Sequence, residues 1–408
     1  MRFFLRTRPA AILASVAACA LGSAAYAQAP AANPPTLAVG PITITGAIEA
    51  NYTVNFNQPY NGSNLYIYNT REGQLALNLV DVRLAKPATP TSRLGFFVRP
   101  VAGEVARTNF IPDDHATGNS DFTILEAYGT YLVPVRNRDL KVDVGQFVTH
   151  VGYETIEVGT NNFFSRNFLF QFPSPFYNAG IRASYPLSAR TTVSGFILNR
   201  YNGRSDTGNR DLAPGFQVVQ TLGGTSTLVI NGLYSRENLA ANGNFDDSVN
   251  RNTGIIDAVY SNQINPRIKI AGEALYRYGK TSNDKNQNLF GGAGYFVYGF
   301  TNGNVGAIRA EYLTDTRRPS AYSAGANTVF PVALPTPFAG GAANQDDKPN
   351  VGSITASYEL KAGIFPGLRT LFEARFDASN YRIFAPKHEG DNGKKSQFTL
   401  TAAQIFNF

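Results

Sequence analysis

The chain has 408 residues, of which 43% are hydrophobic and only 16% are charged, and its mean hydropathy is −0.18. It is too polar for a bundle of membrane helices, and after residue 30 it has no apolar run long enough to span a membrane as a helix. Charged residues fall below the roughly 25% of a typical soluble domain. Amide, hydroxyl, glycine and aromatic side chains replace them, a mixture typical of strands with one face toward lipid and one toward water.

Residues 1–27 are predicted to be a secretory signal peptide. Arg2, Arg6 and Arg8 precede an apolar core, and Ala25-Tyr26-Ala27 forms a small-x-small cleavage site. Cleavage before Cys19 as a lipoprotein is the alternative, but the apolar core continues past that residue. Cys19 is the only cysteine, so we expect neither a disulfide nor thiol chemistry after cleavage. Losing the three arginines lowers the formal net charge from +7 to +4, so the basic balance gives no reason to expect nucleic-acid binding.

From Ile42 the apolar residues recur with a period of two, the pattern of half-buried strands. Residues 28–41, rich in alanine and proline, are interpreted as a short unstructured periplasmic lead before the barrel, residues 42–408. The sequence predicts about sixteen strands: 42–56, 74–86, 93–104, 121–133, 139–147, 178–187, 190–201, 213–223, 225–236, 252–263, 267–279, 287–299, 303–315, 350–361, 367–380 and 395–408. Strands of this length cross a bilayer when tilted.

The connections between these strands alternate between long and short. Long ones are 57–73, 105–120, 148–177, 202–212, 237–251, 280–286, 316–349 and 381–394, with short turns between them. Short turns at one end and long loops at the other are typical of an outer-membrane barrel, whereas a Greek-key sandwich would not sort its loops in this way. We therefore predict an all-β fold, an antiparallel up-and-down transmembrane barrel with periplasmic turns and extracellular loops.

The last predicted strand ends in phenylalanine, with Phe398, Leu400, Ala402, Phe406 and Phe408 on one face. This pattern resembles the C-terminal recognition signal of outer-membrane barrels, and Phe406 and Phe408 are its candidate residues. Gln404 is the one polar residue on that face. The alternative is an ordinary edge strand that happens to end in phenylalanine.

Charged residues at strand centres are predicted to face the lumen, because facing lipid would cost Arg or Lys about 2–4 kcal/mol each. The candidates are Arg182, Lys269, Glu273, Arg277, Arg309, Glu311, Glu359, Arg369, Glu373, Arg375 and Asp377. Both signs occur in similar numbers, so no ion preference is evident. One interpretation is a network of paired wall charges, and the other is a transverse field of arginines facing carboxylates across a pore.

The third long loop, residues 148–177, has neither a strand nor a helix period, yet it is rich in phenylalanine. A loop of this length and composition is expected to be packed and functional. Its charged candidates are Glu154, Glu157 and Arg166, and His150 is its only group expected to titrate near neutral pH. Glu154 and Arg166, with wall residues as partners, either form an electrostatic constriction or brace the loop against the wall. The phenylalanines are expected to anchor the loop; a slide for sugars is the alternative.

Four short motifs around this loop carry a family resemblance: Gly145-Gln-Phe, Val151-Gly-Tyr-Glu154, Asn161-Asn-Phe-Phe-Ser-Arg166 and Phe176-Tyr-Asn-Ala-Gly180. Together they resemble the signature of the "putative beta-barrel porin-2" family of OmpL-like outer-membrane porins. Asn178 departs from the pattern, which has histidine before the Ala-Gly pair. The resemblance implies an outer-membrane channel for small solutes, and by analogy with sixteen-stranded porins a third loop folded into the lumen.

The predicted function is passive diffusion of small hydrophilic solutes or ions, with a non-conducting structural or adhesive barrel as the alternative. A lumen filled by the third loop and by the loop 316–349 would favour that alternative. Three scattered histidines show no metal-ligand spacing or nucleophile motif, so we predict no enzyme, cofactor or metal. Only about fourteen residues precede the first strand, too few for the plug domain of an energy-coupled receptor. Expected partners are outer-membrane lipid, lipopolysaccharide and the barrel-assembly machinery; a homotrimer is one expected assembly.

Overall fold

The computed structural model describes residues 37–60, 66, 71–109, 121–204, 211–236, 252–280, 286–315, 348, 350–361 and 367–408. The predicted signal peptide and most of the loop 316–349 lie outside these residues. Within the described ranges, no helix combines the length and the hydropathy needed to cross a membrane, a finding that does not bear on crossing by strands.

One antiparallel sheet closes on itself as a barrel. Every strand from β2 to β17 pairs with the next one along the chain, and β17 pairs with β2 to complete the ring. The barrel strands are β2 (Ile42–Asn55), β3 (Leu75–Lys86), β4 (Leu94–Ala102), β5 (Phe122–Val135), β6 (Arg138–Val148), β7 (Tyr177–Pro186), β8 (Thr191–Leu198), β9 (Ala213–Gly223), β10 (Ser226–Arg236), β11 (Asn252–Asn265), β12 (Ile268–Lys280), β13 (Asn286–Gly299), β14 (Val305–Asp315), β15 (Asn350–Lys361), β16 (Leu368–Ser379) and β17 (Ser396–Asn407). The predicted sixteen-stranded, up-and-down antiparallel barrel is confirmed.

A further short strand, β1 (Leu37–Val39), precedes the barrel and folds back on the start of β2. The interpretation of residues 28–41 as wholly unstructured is therefore wrong at this end. Gly40, with a φ of +61°, allows the tight reversal between the two strands. The described part of the chain has three short helical segments: Glu104–Asn109 after β4, the 3₁₀ turn Val158–Thr160 and the turn Phe168–Gln171.

The barrel closes through its last residues. Phe408 and Gly46 exchange backbone hydrogen bonds of 2.7 and 3.0 Å, which extends the β17–β2 ladder to the end of the chain. Phe398, Leu400 and Phe406 are exposed on the outer surface, where lipid would lie. Gln404 shares that face, and its amide exchanges hydrogen bonds with the Thr370 hydroxyl on β16 at 2.9 and 3.2 Å. This partner explains how a polar residue is accommodated there.

Two glycines explain part of the motif at the edges of the third loop. Gly145 on β6 and Gly180 on β7 face each other in register, with φ of +142° and +156°. A Cβ at Gly145 would lie 2.2 Å from the Ala127 carbonyl oxygen, and one at Gly180 would lie 2.2 Å from that of Ile197. The strands approach so closely here that only glycine fits.

Gly145→Ala and Gly180→Ala are each expected to destabilise the folded barrel by about 1–3 kcal/mol, since each combines backbone strain with a steric clash. The measurement is the thermal unfolding midpoint and the folded fraction after refolding, read from the heat-dependent shift in gel mobility. Gly129→Ala on the adjacent β5 is the matched control, because nothing lies within 4 Å of its added Cβ. Equal midpoints for all three variants would contradict the proposed close approach.

Candidate functional site

The third loop leaves the wall at Val148 and returns at Tyr177, and these two residues pair at the mouth. Between them, its side chains and backbone contact inward-facing groups on strands β2 to β4 and β9 to β16. The loop therefore lies inside the barrel and bridges opposite walls. Its deepest part reaches Arg369, the second residue of β16, near the end of the barrel that carries the short turns.

Wall carboxylates accept hydrogen bonds from the loop's backbone amides. Glu49 on β2 accepts from the amides of residues 158 and 159 at 2.7 and 3.2 Å. Glu373 on β16 accepts from those of residues 164 and 165 at 2.7 and 3.2 Å. Glu311 on β14 accepts from the Phe168 amide, and Asp257 on β11 from that of Gly152 at 3.1 Å.

Wall arginines donate to the loop's carbonyl oxygens. Arg309 on β14 donates to the carbonyl of Ser165 at 2.8 Å, and Arg375 on β16 donates to that of Arg166 at 2.7 Å. Arg369 donates to the carbonyls of residues 159 and 161 at 2.8 and 3.1 Å. Each guanidinium also lies within 2.7 Å of a carboxylate oxygen: Glu154 for Arg309, Asp377 for Arg375 and Glu359 for Arg369.

These contacts explain why wall charges of both signs face the lumen. A buried loop without regular structure leaves amides and carbonyls that no ladder satisfies, and each unpaired buried group is costly. Carboxylates accept only and guanidinium groups donate only, so a wall that binds both kinds of backbone group needs both signs. The geometry favours the paired-network interpretation of the wall charges.

The loop's own carboxylates form ion pairs with the wall. Glu154 pairs with Arg309 at 2.7 Å and also accepts from the Asn167 amide at 2.6 Å. Glu157 pairs with Arg99 on β4 at 3.0 Å and lies 3.8 Å from Arg83 on β3. Burial alone would raise the pKa of Glu157, but the two arginines outweigh it and hold that pKa below its ordinary value. The two carboxylates thus fasten the loop to separate parts of the wall, five to six strands apart around the ring.

Arg166 combines a wall partner with partners inside the loop, and its positive charge attracts the buried Glu49 carboxylate on β2, as expected. Its guanidinium donates to the carbonyls of Thr155, Ile156 and Phe164, all within the loop, the first at 2.6 Å. The loop doubles back on itself, and Arg166 is fully buried between its descending and ascending halves. It therefore holds the loop's shape, with its fork of donors matched to backbone carbonyls.

The phenylalanines of the loop are buried in apolar clusters with the wall. Phe163 and Leu169 pack in a cluster with inward residues of β8 to β14, such as Val229, Ile255 and Leu275. Phe170 packs against residues of β3 to β5, and Phe168 against the ends of β13 to β15. The phenylalanines thus serve as anchors. A sequence signal for this existed, because 228–234 and 254–260 carry apolar residues on both faces, interrupted on the inward face only by Asn231 and Asp257.

The inward side chains are covered around the whole ring. Every barrel strand contributes at least one inward residue that is no more than 6% exposed: Asn51, Asp81, Arg99, Glu126, Asp143, Arg182, Phe196, Val219, Asn231, Asp257, Glu273, Tyr295, Arg309, Thr355, Glu373 and Thr401. Side chains lining an open water-filled pore would be exposed to that water. The loop and wall therefore meet as a packed interface over much of the lumen.

The remaining candidates also face inward. Arg182 pairs with Asp143 at 2.8 Å and lies over the Phe147 ring, and Arg277 lies over the Tyr201 ring. Glu273 accepts from the Asn167 side chain at 3.0 Å, and the Lys269 ammonium lies 5.7 Å from the centre of the Tyr153 ring.

His150 lies just beyond the end of β6. The expectation that it titrates near neutral pH is wrong. Its ring stacks on Phe196 with 4.0 Å between ring centres, and its Nε2 lies 3.3 Å from the Gly232 carbonyl oxygen. Burial lowers the pKa of His150 to about 4. The ring is therefore neutral at physiological pH.

The sequence interpretation missed several wall residues that hold or border the loop. They are Glu49, Asp81, Arg99, Glu126, Asp257 and Tyr295. The rule that charged residues at strand centres face the lumen would have found the charged ones. Each of them stands among apolar or small residues in the interior of a strand. Tyr295 had no such signal, because tyrosine suits either face of a barrel strand.

A model of the family described as "Putative beta-barrel porin-2, OmpL-like" matches residues 41–408, which is nearly the whole barrel chain. The chain belongs to this family. A search of curated proteins by sequence found no match. Family membership and the outer-membrane barrels of the same fold support a place in the outer membrane.

Solved outer-membrane channels share the fold at low sequence identity. Salmonella typhi OmpF, in complex with daunomycin, is 10% identical, with a TM-score of 0.55 over 92% of this chain and 100% of that one. The anion-selective porin from Comamonas acidovorans is 10% identical, with a TM-score of 0.54 over 90% of this chain and 99% of that one. DcaP of Acinetobacter baumannii is 11% identical, with a TM-score of 0.54 over 90% and 97%. At such identities the likeness shows the fold alone.

Glu373→Ala is expected to loosen the third loop, because the amides of Phe164 and Ser165 lose their acceptor while they remain buried. Each unsatisfied group costs about 1–3 kcal/mol, so the unfolding midpoint should fall and the loop should become susceptible to protease. Glu389→Ala, at an exposed position of the last long loop, is the control. If the two variants unfold and resist protease alike, the carboxylate does not hold the loop.

Proposed function

We propose that this porin is an outer-membrane channel for small hydrophilic solutes or ions, and that its third loop sets how far the passage is open. The observation that carries the proposal is the loop's attachment to both sides of the lumen, through Glu154 to β14 and through Glu157 to β3 and β4. Family membership and the barrel fold support the channel function.

The proposal assigns the loop a stronger role than a partial constriction. Inward side chains on every strand are covered, so flow depends on a narrow gap beside the loop or on displacement of the loop. Displacement would break hydrogen bonds and ion pairs between loop and wall, and water can replace those contacts. The phenylalanine clusters oppose displacement, because their exposure costs roughly 25 cal/mol per Å².

The same covering favours a second candidate, a barrel that does not conduct and serves a structural or adhesive role. Packing of the lumen with apolar and ion-paired side chains is explained by the stability of the barrel alone and does not require solutes to pass through it. The two candidates differ in one measurable property. If the barrel is a channel, deleting the part of the third loop inside the lumen should raise its conductance, and if it is a non-conducting barrel, it should not.

Other assignments belong to this proposal. Cleavage after Ala27 would release the barrel chain, and Phe406 and Phe408 would present the assembly signal. Contacts with lipopolysaccharide and assembly as a homotrimer would follow the architecture of porins. We propose no catalytic role: His388, the histidine that pairs with a carboxylate (Asp391, 3.2 Å), is exposed in a loop.

Deletion of residues 154–170 is expected to raise single-channel conductance in planar bilayers. The remaining residues 149–153 and 171–176 suffice to join Val148 to Tyr177, which are already paired. Residues 28–408 would be refolded, and conductance recorded with and without the deletion. Stepwise ohmic currents that grow on deletion support the channel.

A deletion of the same length within the loop 316–349 is the control for shortening a loop as such. If neither barrel conducts, although gel mobility shows both to be folded, the channel proposal fails and the non-conducting barrel takes its place. If the control deletion raises conductance as much as the deletion of 154–170, the third loop is not what sets the passage.

A further inference from the structure

The ion pairs of the lumen are unevenly distributed, and this bears on selectivity. The inward cations that border or hold the third loop lie beside carboxylates: Arg83 and Arg99 beside Asp81, Lys141 and Arg182 beside Asp143, Arg309 beside Glu154, Arg369 beside Glu359 and Arg375 beside Asp377. The field of a close pair is that of a dipole, so these pairs have little effect on a distant solute.

Lys269 differs from these cations. Among the described residues it pairs with no carboxylate, and its ammonium lies over the face of the Tyr153 ring. Glu273 is the next inward carboxylate on the same strand, four residues away, which is about 13 Å along a strand. That distance is far beyond the contact range of an ion pair, so Glu273 and Lys269 do not form a close dipole.

The position of Lys269 along its strand shows at which end of the barrel this charge lies. It is the second residue of β12, beside the turn that leads from β11, and it lies opposite Val297 on β13. Tyr153 of the loop packs against Tyr295, with 4.4 Å between ring centres, and Tyr295 lies opposite Ala271. Lys269 therefore lies nearer the short-turn end of the barrel than the Tyr153–Tyr295 contact, and the residue is 9% exposed.

We propose that Lys269 attracts small anions to the periplasmic mouth of the lumen and biases the passage toward them. This inference deepens the proposed channel function and rests on it. An unpaired charge acts as a monopole, and low-dielectric walls focus its field into the water of the mouth. The Tyr153 ring holds the ammonium in place through a cation–π contact without cancelling its charge.

The first test is the anion-to-cation permeability ratio, taken from the reversal potential under a salt gradient. Lys269→Gln is expected to lower the ratio on the order of 25-fold, because one unit charge at about 4 Å in water favours the anion about fivefold and disfavours the cation about fivefold. Lys269→Arg should preserve it. Arg267→Gln is the matched control, because it removes an equal charge from the exposed turn two residues away. A ratio that Lys269→Gln leaves unchanged, or changes no more than the control, overturns the proposal.

A second test does not depend on conduction. Residues 28–408 contain no cysteine, and Gln263 lies directly opposite Lys269 in the ladder, so Gln263→Cys places a thiol beside the ammonium. The readout is the ratio of its modification rates by an anionic and a cationic methanethiosulfonate reagent. Adding Lys269→Gln should lower that ratio on the order of 25-fold, about fivefold for each reagent in opposite directions.

An unchanged rate ratio, or no reaction with either reagent, overturns the role of Lys269. Failure of the channel function can be distinguished from failure of the role proposed for Lys269. A barrel that never conducts but shows the charge-dependent rates loses the channel function and keeps an anion-attracting mouth. A barrel that conducts but shows no rate difference keeps the channel function and loses this residue's role.

Discussion

The structure depends on hydrogen bonds between charged side chains of the wall and the backbone of the third loop. A loop without regular structure is normally found at a surface, where water satisfies its amides and carbonyls. Inside the barrel that water is replaced by Glu49, Glu311 and Glu373 for the amides and by Arg309, Arg369 and Arg375 for the carbonyls. Without the wall charges, the loop's buried amides and carbonyls would have no hydrogen-bond partners. Without the loop, these wall charges would lose the backbone groups that they bind.

This dependence also limits how the loop can move. Removing one member of a buried charged pair leaves the other uncompensated, which is why such networks tend to act as units. Glu154 shows this coupling, because one of its oxygens pairs with Arg309 while the other accepts from the Asn167 amide. Any opening of the passage must exchange several such contacts together. Opening should accordingly be an all-or-none event, and graded widening is not expected.

Much of the fold was predictable from the sequence, and the details of the site were less so. A period of two from Ile42 and the alternation of long and short connections suffice to predict the barrel, since both follow from strand geometry and membrane topology. The inward positions of residues such as Arg309 and Glu373 follow from the cost of charge in lipid. Their partners do not, because the position of an irregular loop along the wall leaves no periodic signal. Arg166 illustrates the limit: its charge predicts a wall carboxylate, which Glu49 provides, but its hydrogen bonds to the loop's own carbonyls left no signal in the sequence.

The most direct test of this account is amide hydrogen exchange of the third loop in the refolded barrel, followed by mass spectrometry. If wall charges bind the loop's backbone, peptides covering Val158–Phe168 should exchange as slowly as peptides from β16, although this stretch lies in no strand. Peptides from the exposed stretch 387–390 provide the fast reference. Exchange of Val158–Phe168 at the rate of that reference would show that the loop's amides are bonded to water, and the account would be wrong.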